Sequence, residues 1–265
     1  MSHASLTADC ASCFGLCCVA LTFTRSADFA LDKAAGDPCP NLRQDFGCGI
    51  HDRLHAKGFP GCAGYDCFGA GQQVSQVTFG GHDWRTDPER ARRMFAALPV
   101  MRQLHELLWY LDEARALDAT RALHADLDTA FAETEHLTRA DPDTLLTTDV
   151  AAQRARVDAL LHRTSELVRG STPRRKNRRG ADLMGARLAG ADLRRATLRG
   201  AYLIGADLRR ADLRETDVLG ADLRDADVRG TDLTSCLFLT QTQVNAARGD
   251  ATTRLPARLT RPAQW

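Results

Sequence analysis

Residues 181–235 read ADLMG ARLAG ADLRR ATLRG AYLIG ADLRR ADLRE TDVLG ADLRD ADVRG TDLTS, eleven pentads without a gap. A large aliphatic holds every centre: Leu183, Leu188, Leu193, Leu198, Leu203, Leu208, Leu213, Val218, Leu223, Val228 and Leu233. Two places before each centre stands Ala or Thr. A period of five fits neither a helix, at about 3.6 residues per turn, nor the two-residue alternation of a strand. A short fixed period signals a solenoid. Both the small and the large residue turn inward, and only a narrow coil needs both.

The A-D-L-x-x pattern resembles the signature of the pentapeptide-repeat family. That resemblance implies a right-handed quadrilateral β-helix over residues 181–240, with four pentads to a coil. Eleven pentads then make slightly under three coils, a column about 15 Å tall at the usual interstrand spacing. Residues 241–265 are expected to cap it. Thr240 or Thr242 can N-cap a short helix from Gln243 to Arg248, with Gly249 as its stop. Phe238, Leu239, Leu255, Leu259 and Trp265 can close the open end, and Cys236 takes a small inward position.

Some members of that family resemble B-DNA and protect type II topoisomerases such as gyrase. Such mimicry needs a long acidic rod, since duplex DNA carries one charge per about 1.7 Å. Residues 181–235 hold nine Asp and one Glu against nine Arg, a balance of −1. Asp192, Asp212 and Asp232 should stack at twenty-residue spacing, with Arg194 and Arg214 beside them. An outward Asp–Arg lattice follows, with Asp also bonding turn amides. Topoisomerase protection is therefore kept only as a second alternative.

Upstream, residues 83–170 are rich in Ala, Leu, Arg and Glu and suit an antiparallel helical bundle. Asp87-Pro88-Glu89 and Asp141-Pro142-Asp143 read as helix starts. Pro99 is expected to break one helix and open the next. Leu104, Leu107, Leu108 and Leu111 form one stripe. Leu123 to Leu137 marks a further helix, and Val150 to Val168 a long one. His105, His124, His136 and His162 lie on these helices without an i, i+4 metal pair, and read as surface or core-edge residues. Residues 171–180 form a basic linker, with Arg174, Arg175, Lys176, Arg178 and Arg179. It lacks interleaved aromatics for base stacking, so a nucleic-acid partner is not expected.

Residues 1–82 contain eight of the nine cysteines: Cys10, Cys13, Cys17, Cys18, Cys39, Cys48, Cys62 and Cys67. Cys10-x2-Cys13 is a chelating spacing, and Cys48-Gly-Ile-His51 repeats it with an imidazole. The adjacent Cys17 and Cys18 more easily face two sites. This segment resembles the cysteine-cluster domains described as zinc- or iron-chelating, although those carry Tyr at the position of His51, followed by Arg-Pro. The expectation is a metal-organised module holding zinc or iron, the latter open to an iron–sulfur cluster. Gly69-x-Gly71 reads as a closing loop rather than a phosphate cradle.

The whole is thus a multidomain α+β chain: Cys-rich module, helical bundle, linker, solenoid and cap. Net charge is +1, so any electrostatic partner preference is local. No signal-peptide pattern or long apolar run is read, which points to the reducing cytosol and no membrane span. No Ser–His–Asp order, Walker loop or carboxylate pair stands out. The first reading is an interaction or scaffold protein with a protein partner. The alternative is an iron-dependent metalloenzyme or redox sensor, with His51 or His55 completing an open site. Enzymatic activity and oligomeric state stay open.

Overall fold

The structure is a computed structural model and describes residues 6–171 and 176–265. Arg174 and Arg175 of the basic linker lie outside the described residues, as do residues 1–5. The chain forms two units. One runs to Ala116 and resumes over Ala122–Leu161; the other comprises Leu117–Arg121 and His162–Trp265.

In the second unit the five-residue period becomes four columns of parallel bridges. The columns run Asn177–Thr197–Asp217–Leu237, Asp182–Tyr202–Asp222, Arg187–Asp207–Asp227–Arg248 and Asp192–Asp212–Asp232–Arg254. Successive members are twenty residues apart through the repeat, so four pentads make one coil. Each side contributes a single bridged residue rather than a strand. The central aliphatics turn inward: Leu198, Leu203, Leu208, Leu213 and Val218 are fully buried, with Ala196, Ala201 and Ala206 between them. Where Thr or Cys replaces Ala, its polar atom finds a carbonyl in the previous coil. Thr216 Oγ1 donates to Leu193 O (2.6 Å), Thr231 Oγ1 to Leu208 O (2.7 Å) and Cys236 Sγ to Leu213 O (3.2 Å). A buried hydroxyl is tolerable only when so paired.

The fifth pentad position turns the corner with positive φ. Gly supplies it at residues 180, 185, 190, 200, 205, 220 and 230; Arg195, Arg210, Glu215 and Asp225 adopt it with φ near 58°. Glycine enters this region without the steric penalty a Cβ brings.

The C-terminal end is closed by a short helix, Gln241–Ala246. Thr240 and Gln243 form a reciprocal capping box. The Gln243 amide also donates to Val218 O (2.8 Å) and Ala221 O (2.9 Å), satisfying carbonyls of the last coil. The helix ends at Ala247, before Gly249. Gly249 instead admits the indole of Trp265, whose ring atoms would lie 2.3 Å from a Cβ there. Phe238, Leu239 and Leu259 are buried in this cap.

The first unit is helical. Its named helices are α1 (Leu16–Ala20), α2 (Pro60–Gly64), α3 (Ala70–Gln72, continued by π turns Gln73–Thr78), α4 (Pro88–Ala116), α5 (His124–Thr138) and α6 (Pro142–Leu146). A seventh, Val150–Arg169, begins here and ends in the second unit. Pro99 does not break α4. Its side chain is exposed, while Met94, Ala97, Leu98, Met101, Leu104 and Leu108 are buried on both sides of it. One continuous packed stripe outweighs the lost amide hydrogen bond. The core joins Leu16 and Val19 of α1 and Ala70 and Val74 near α3 to Met94, Leu98 and Met101 of α4, with Leu145 and Val150. The cysteine segment thus shares a hydrophobic core with the helices. Among the described residues, no helix is long and apolar enough to cross a membrane.

Candidate functional site: a cysteine-lined neighbourhood

The thiols sit on short elements fixed by side chains rather than by sheets. Asp9 caps the 3-10 turn Cys10–Ser12, accepting from the Ala11 amide (3.1 Å) and the Ser12 hydroxyl (2.7 Å). Phe14 and Gly15 then take positive φ, and the reversal starts α1 with Cys17 and Cys18. A Cβ on Gly15 would lie 2.5 Å from Leu42 Cδ1, so glycine serves both the turn and the close approach. Beyond α1, the loops are tied by the isolated bridges Phe23–Lys33 and Leu42–Cys48 and by the Cys39 amide on Cys18 O (2.9 Å).

Lys33 organises this region, although nothing in its local sequence marks it. It is buried, and its Nζ donates to Val19 O (3.1 Å), Ala34 O (2.9 Å) and Asp37 O (2.9 Å). Burial pulls its pKa down, while Cys39, Asp37, Cys18 and Cys17 act against that pull. A buried cation beside thiols favours their ionised form. Other side chains stitch the segment to the helices. Trp84 Nε1 donates to Phe14 O (2.9 Å), Gln76 to Ser12 O (2.8 Å), and Arg102 to Asp66 O (2.9 Å). His105 is fully buried on α4 and its Nδ1 meets Phe68 O at 2.7 Å. Burial lowers its pKa to about 4, so it is neutral and Nδ1 carries the donated proton. It is a core residue holding the turn after Cys67.

The sulfurs gather pairwise. Cys13 Sγ donates to Cys10 O (3.5 Å), and the interaction between the two thiols raises Cys10 and lowers Cys13 to about 7. Burial opposes the Cys13 shift, and the Gly15 and Leu16 amides add to it. Cys17 and Cys18 have sulfurs 4.0 Å apart. Cys13 and Cys67 flank Gly71: a Cβ there would be 3.7 Å from one sulfur, 3.8 Å from the other and 2.8 Å from Cys13 Cβ. The Cys13 thiol and burial raise Cys10, and burial raises Cys62 and Cys67, with a smaller contribution from Cys17 in each case. Cys39 and Cys48 act likewise on Cys62, which burial above all pushes up to about 12. Burial raises Cys67 to about 11.

The arrangement stops short of a formed metal centre. Among the described residues, no three His, Cys, Asp or Glu side chains come together as a group able to hold a metal ion. All nine cysteines are free thiols. His51 and His55 are exposed on 3-10 turns. An open cleft of about 550 Å³ lies over the Lys33 loop, lined by Phe23, Leu31, Asp32, Lys33, Asp37 and Pro38, and contains no cysteine.

The second surface is the outside of the solenoid. Asp192, Asp207, Asp212, Asp222 and Asp227 each bond the arginine two residues on and accept that arginine's own amide. The arginines also reach the next coil: Arg194 is 3.5 Å from Asp212, Arg209 3.8 Å from Asp227 and Arg214 3.9 Å from Asp232. Lys176 and Arg254 close the ends of one ladder on Asp192 (3.3 Å) and Asp232 (2.9 Å). The expected lattice of opposite charge is therefore present. One pair differs: Asp217 and Arg199 are buried, 3.5 Å apart. Two large apolar side chains are exposed on the Asp182–Tyr202–Asp222 side, Met184 at 57% and Tyr202 at 53%.

Twenty-residue coils, bridged columns and inward Ala–Leu alternation define a repeat solenoid, and the chain belongs to the pentapeptide-repeat proteins. The family model described as "Pentapeptide repeats" matches residues 181–218 and 201–238. Over its full length the chain is similar to "Uncharacterized protein YybG" of Bacillus subtilis (strain 168), 59% identical over 267 residues, covering 99% of this chain and 96% of the relative. The likeness therefore takes in the cysteine segment and helices as well as the repeat. Two solved pentapeptide-repeat proteins match part of this chain. Rfr23 from the cyanobacterium Cyanothece 51142 is 29% identical, covering 30% of this chain and 56% of that chain, with a TM-score of 0.23. A protein from the Arabidopsis thaliana thylakoid lumen is 34% identical, covering 23% and 46%, with a TM-score of 0.15. This chain spans about half the length of those two solved structures.

Proposed function

We propose that the protein is an interaction scaffold of the cytosol, in which the solenoid presents a rigid surface to a protein partner. One observation carries this reading: the outward charges are neutralised within the surface itself, and Met184 and Tyr202 stand exposed among them. A duplex mimic needs net negative charge along its axis, whereas alternating Asp and Arg cancel. Exposed aromatic and Met side chains with fixed surroundings are the anchors protein partners use. The test compares proteins retained from cells of the source organism by the chain and by its Tyr202→Glu variant. Partners lost with Tyr202→Glu but retained by an Arg224→Gln variant support the reading. Identical retention by all three refutes it.

A second reading is favoured by the close thiols: the Cys17 and Cys18 sulfurs are 4.0 Å apart, and the Cys13 and Cys67 sulfurs both approach Gly71. Cys10, Cys13, Cys17, Cys18, Cys39, Cys48, Cys62 and Cys67, with His51, would hold zinc or iron in a structural or redox role. The observed pairs do not yet close on one point, and packing of α1 and α3 onto α4 already supplies part of the order that metal was expected to give. Elemental analysis of protein purified without oxygen or a metal-affinity tag decides it. One or two zinc per chain without visible bands indicates a structural module. Iron with thiolate bands indicates an enzyme or redox sensor, and metal-free protein with nine titratable thiols ends the metal reading.

A further inference from the structure

We propose that two copies of this chain join at the N-terminal ends of their solenoids, across a two-fold axis that sets Asp182 of each copy against Arg187 of the other.

The C-terminal end is closed by its helix, whereas among the described residues nothing pairs with the outer edge of the first coil. In later coils the outward residue of each pentad donates its amide to the coil before: Tyr202 N to Ala181 O (3.0 Å) and Asp207 N to Ala186 O (2.9 Å). Its carbonyl accepts from that same coil, as Tyr202 O does from Leu183 N and Asp207 O from Leu188 N. Asp182 and Arg187 stand one coil earlier. Among the described residues, neither amide has an acceptor and neither carbonyl a donor. The side chains are open as well: Leu183 and Leu188 are only partly buried, while Leu203 and Leu208 below them are fully buried. An unpaired edge with apolar side chains behind it is a template for another chain.

Charge selects the occupant. The outward acids Asp192, Asp207, Asp212, Asp217, Asp222, Asp227 and Asp232 all face an arginine. Asp182 is the exception among the described residues; its carboxylate accepts only the Met184 amide. Arg187, on the next side of the same coil, has no ion pair among the described residues. The open edge thus carries one free carboxylate and one free guanidinium on adjacent sides. A two-fold axis through the corner at Met184 and Gly185 exchanges those sides and reverses chain direction. Asp182 then lies opposite Arg187 twice, and each pair can exchange both N–H···O bonds as in an antiparallel ladder. The same register sets Asn177 opposite Asp192 and brings the two Met184 side chains together at the axis. An axis through the middle of the Asp182 side would oppose two carboxylates. Because the far end of each solenoid is covered, this contact closes as an isologous dimer and does not grow into a filament.

Sedimentation velocity on the full chain over a concentration series tests this. A monomer–dimer equilibrium is expected. Arg187→Asp and Asp182→Arg each weaken it about tenfold or more, because two like-charged pairs form per dimer. The Asp182→Arg/Arg187→Asp double variant restores association, which only a direct contact between these positions across the interface explains. Met184→Glu places two acids at the axis and also weakens it. Circular dichroism confirms that each variant is folded. A chain that stays monomeric throughout, single variants that dimerise like the parent, or a double variant that does not recover would each overturn the proposal.

Discussion

Replacing Asp217 by Ala should destabilise the solenoid more than any other single ladder substitution. Its carboxylate lies 3.5 Å from Arg199, with side chains 1% and 5% exposed. Its Oδ1 also accepts the Leu219 amide at 3.0 Å. Removing one member of a buried pair leaves the other charge desolvated, at a cost of about 3–5 kcal/mol. The lost amide bond adds about 1 kcal/mol. For a chain of this size each kcal/mol lowers the melting temperature by about 2–4 °C, so a fall of roughly 8–24 °C is expected. Asp217→Asn keeps an amide acceptor and should lose less. The Arg199→Met/Asp217→Leu double variant removes both charges and should be more stable than Asp217→Ala. The assay is thermal unfolding by circular dichroism, with urea titration of the same variants. A loss below about 1 kcal/mol, the usual value of an exposed pair, would refute the view that this pair works as a desolvated one.

Acid should weaken the solenoid in a defined window. The Arg209 guanidinium holds Asp207 down to about 2, and Arg194 holds Asp192 lower still. Arg214, Arg224 and Arg229 depress Asp212, Asp222 and Asp227 in the same way. Because these folded values lie below the unfolded one, the contribution is complete above about pH 4 and disappears as pH falls through about 2. Melting temperatures across that range should fall, and high salt should shrink the effect. Arg210→Gly should raise stability by about 1 kcal/mol, since Arg210 turns a corner at φ 58°. Gly205→Ala, at φ 64° with nothing near the added Cβ, should cost a similar amount; urea midpoints check both. Gly71→Ala should cost about 1–3 kcal/mol through the clash with Cys13 Cβ at 2.8 Å, and should raise the accessibility of Cys13 and Cys67 to a thiol reagent.

The repeat was legible because one short period fixes everything about it. The pentad centre must point in, the residue before it must point out, and twenty residues must bring a column back to itself. The stacking of Asp192, Asp212 and Asp232, with arginines between them, follows from those constraints alone. The buried Asp217–Arg199 pair was not legible, since these residues hold the same pentad positions as exposed ladder members. Pro99 misleads because a local steric rule was read without the packing on either side of it. In the cysteine segment, spacing marked Cys10 and Cys13 as neighbours, and the Cys13 thiol does reach the Cys10 carbonyl at 3.5 Å, while the ligand set stays a proposal. Lys33 carries no such mark, because its role rests on three carbonyls contributed by irregular backbone.

Column geometry also restricts how this chain can change in length. Deleting one pentad from the middle of the repeat leaves every centre pointing inward, yet it rotates all that follows by a quarter turn. Contacts that span the deletion fail: with a pentad removed between residues 196 and 211, Arg194 would no longer lie beside Asp212 nor Arg195 beside Glu215, and the Thr216 hydroxyl would miss the Leu193 carbonyl. Deleting four pentads removes one storey and returns each residue to its own side. The pairs between successive coils therefore act as an angular reference, and the solenoid keeps every one of them only when it grows or shrinks by whole revolutions.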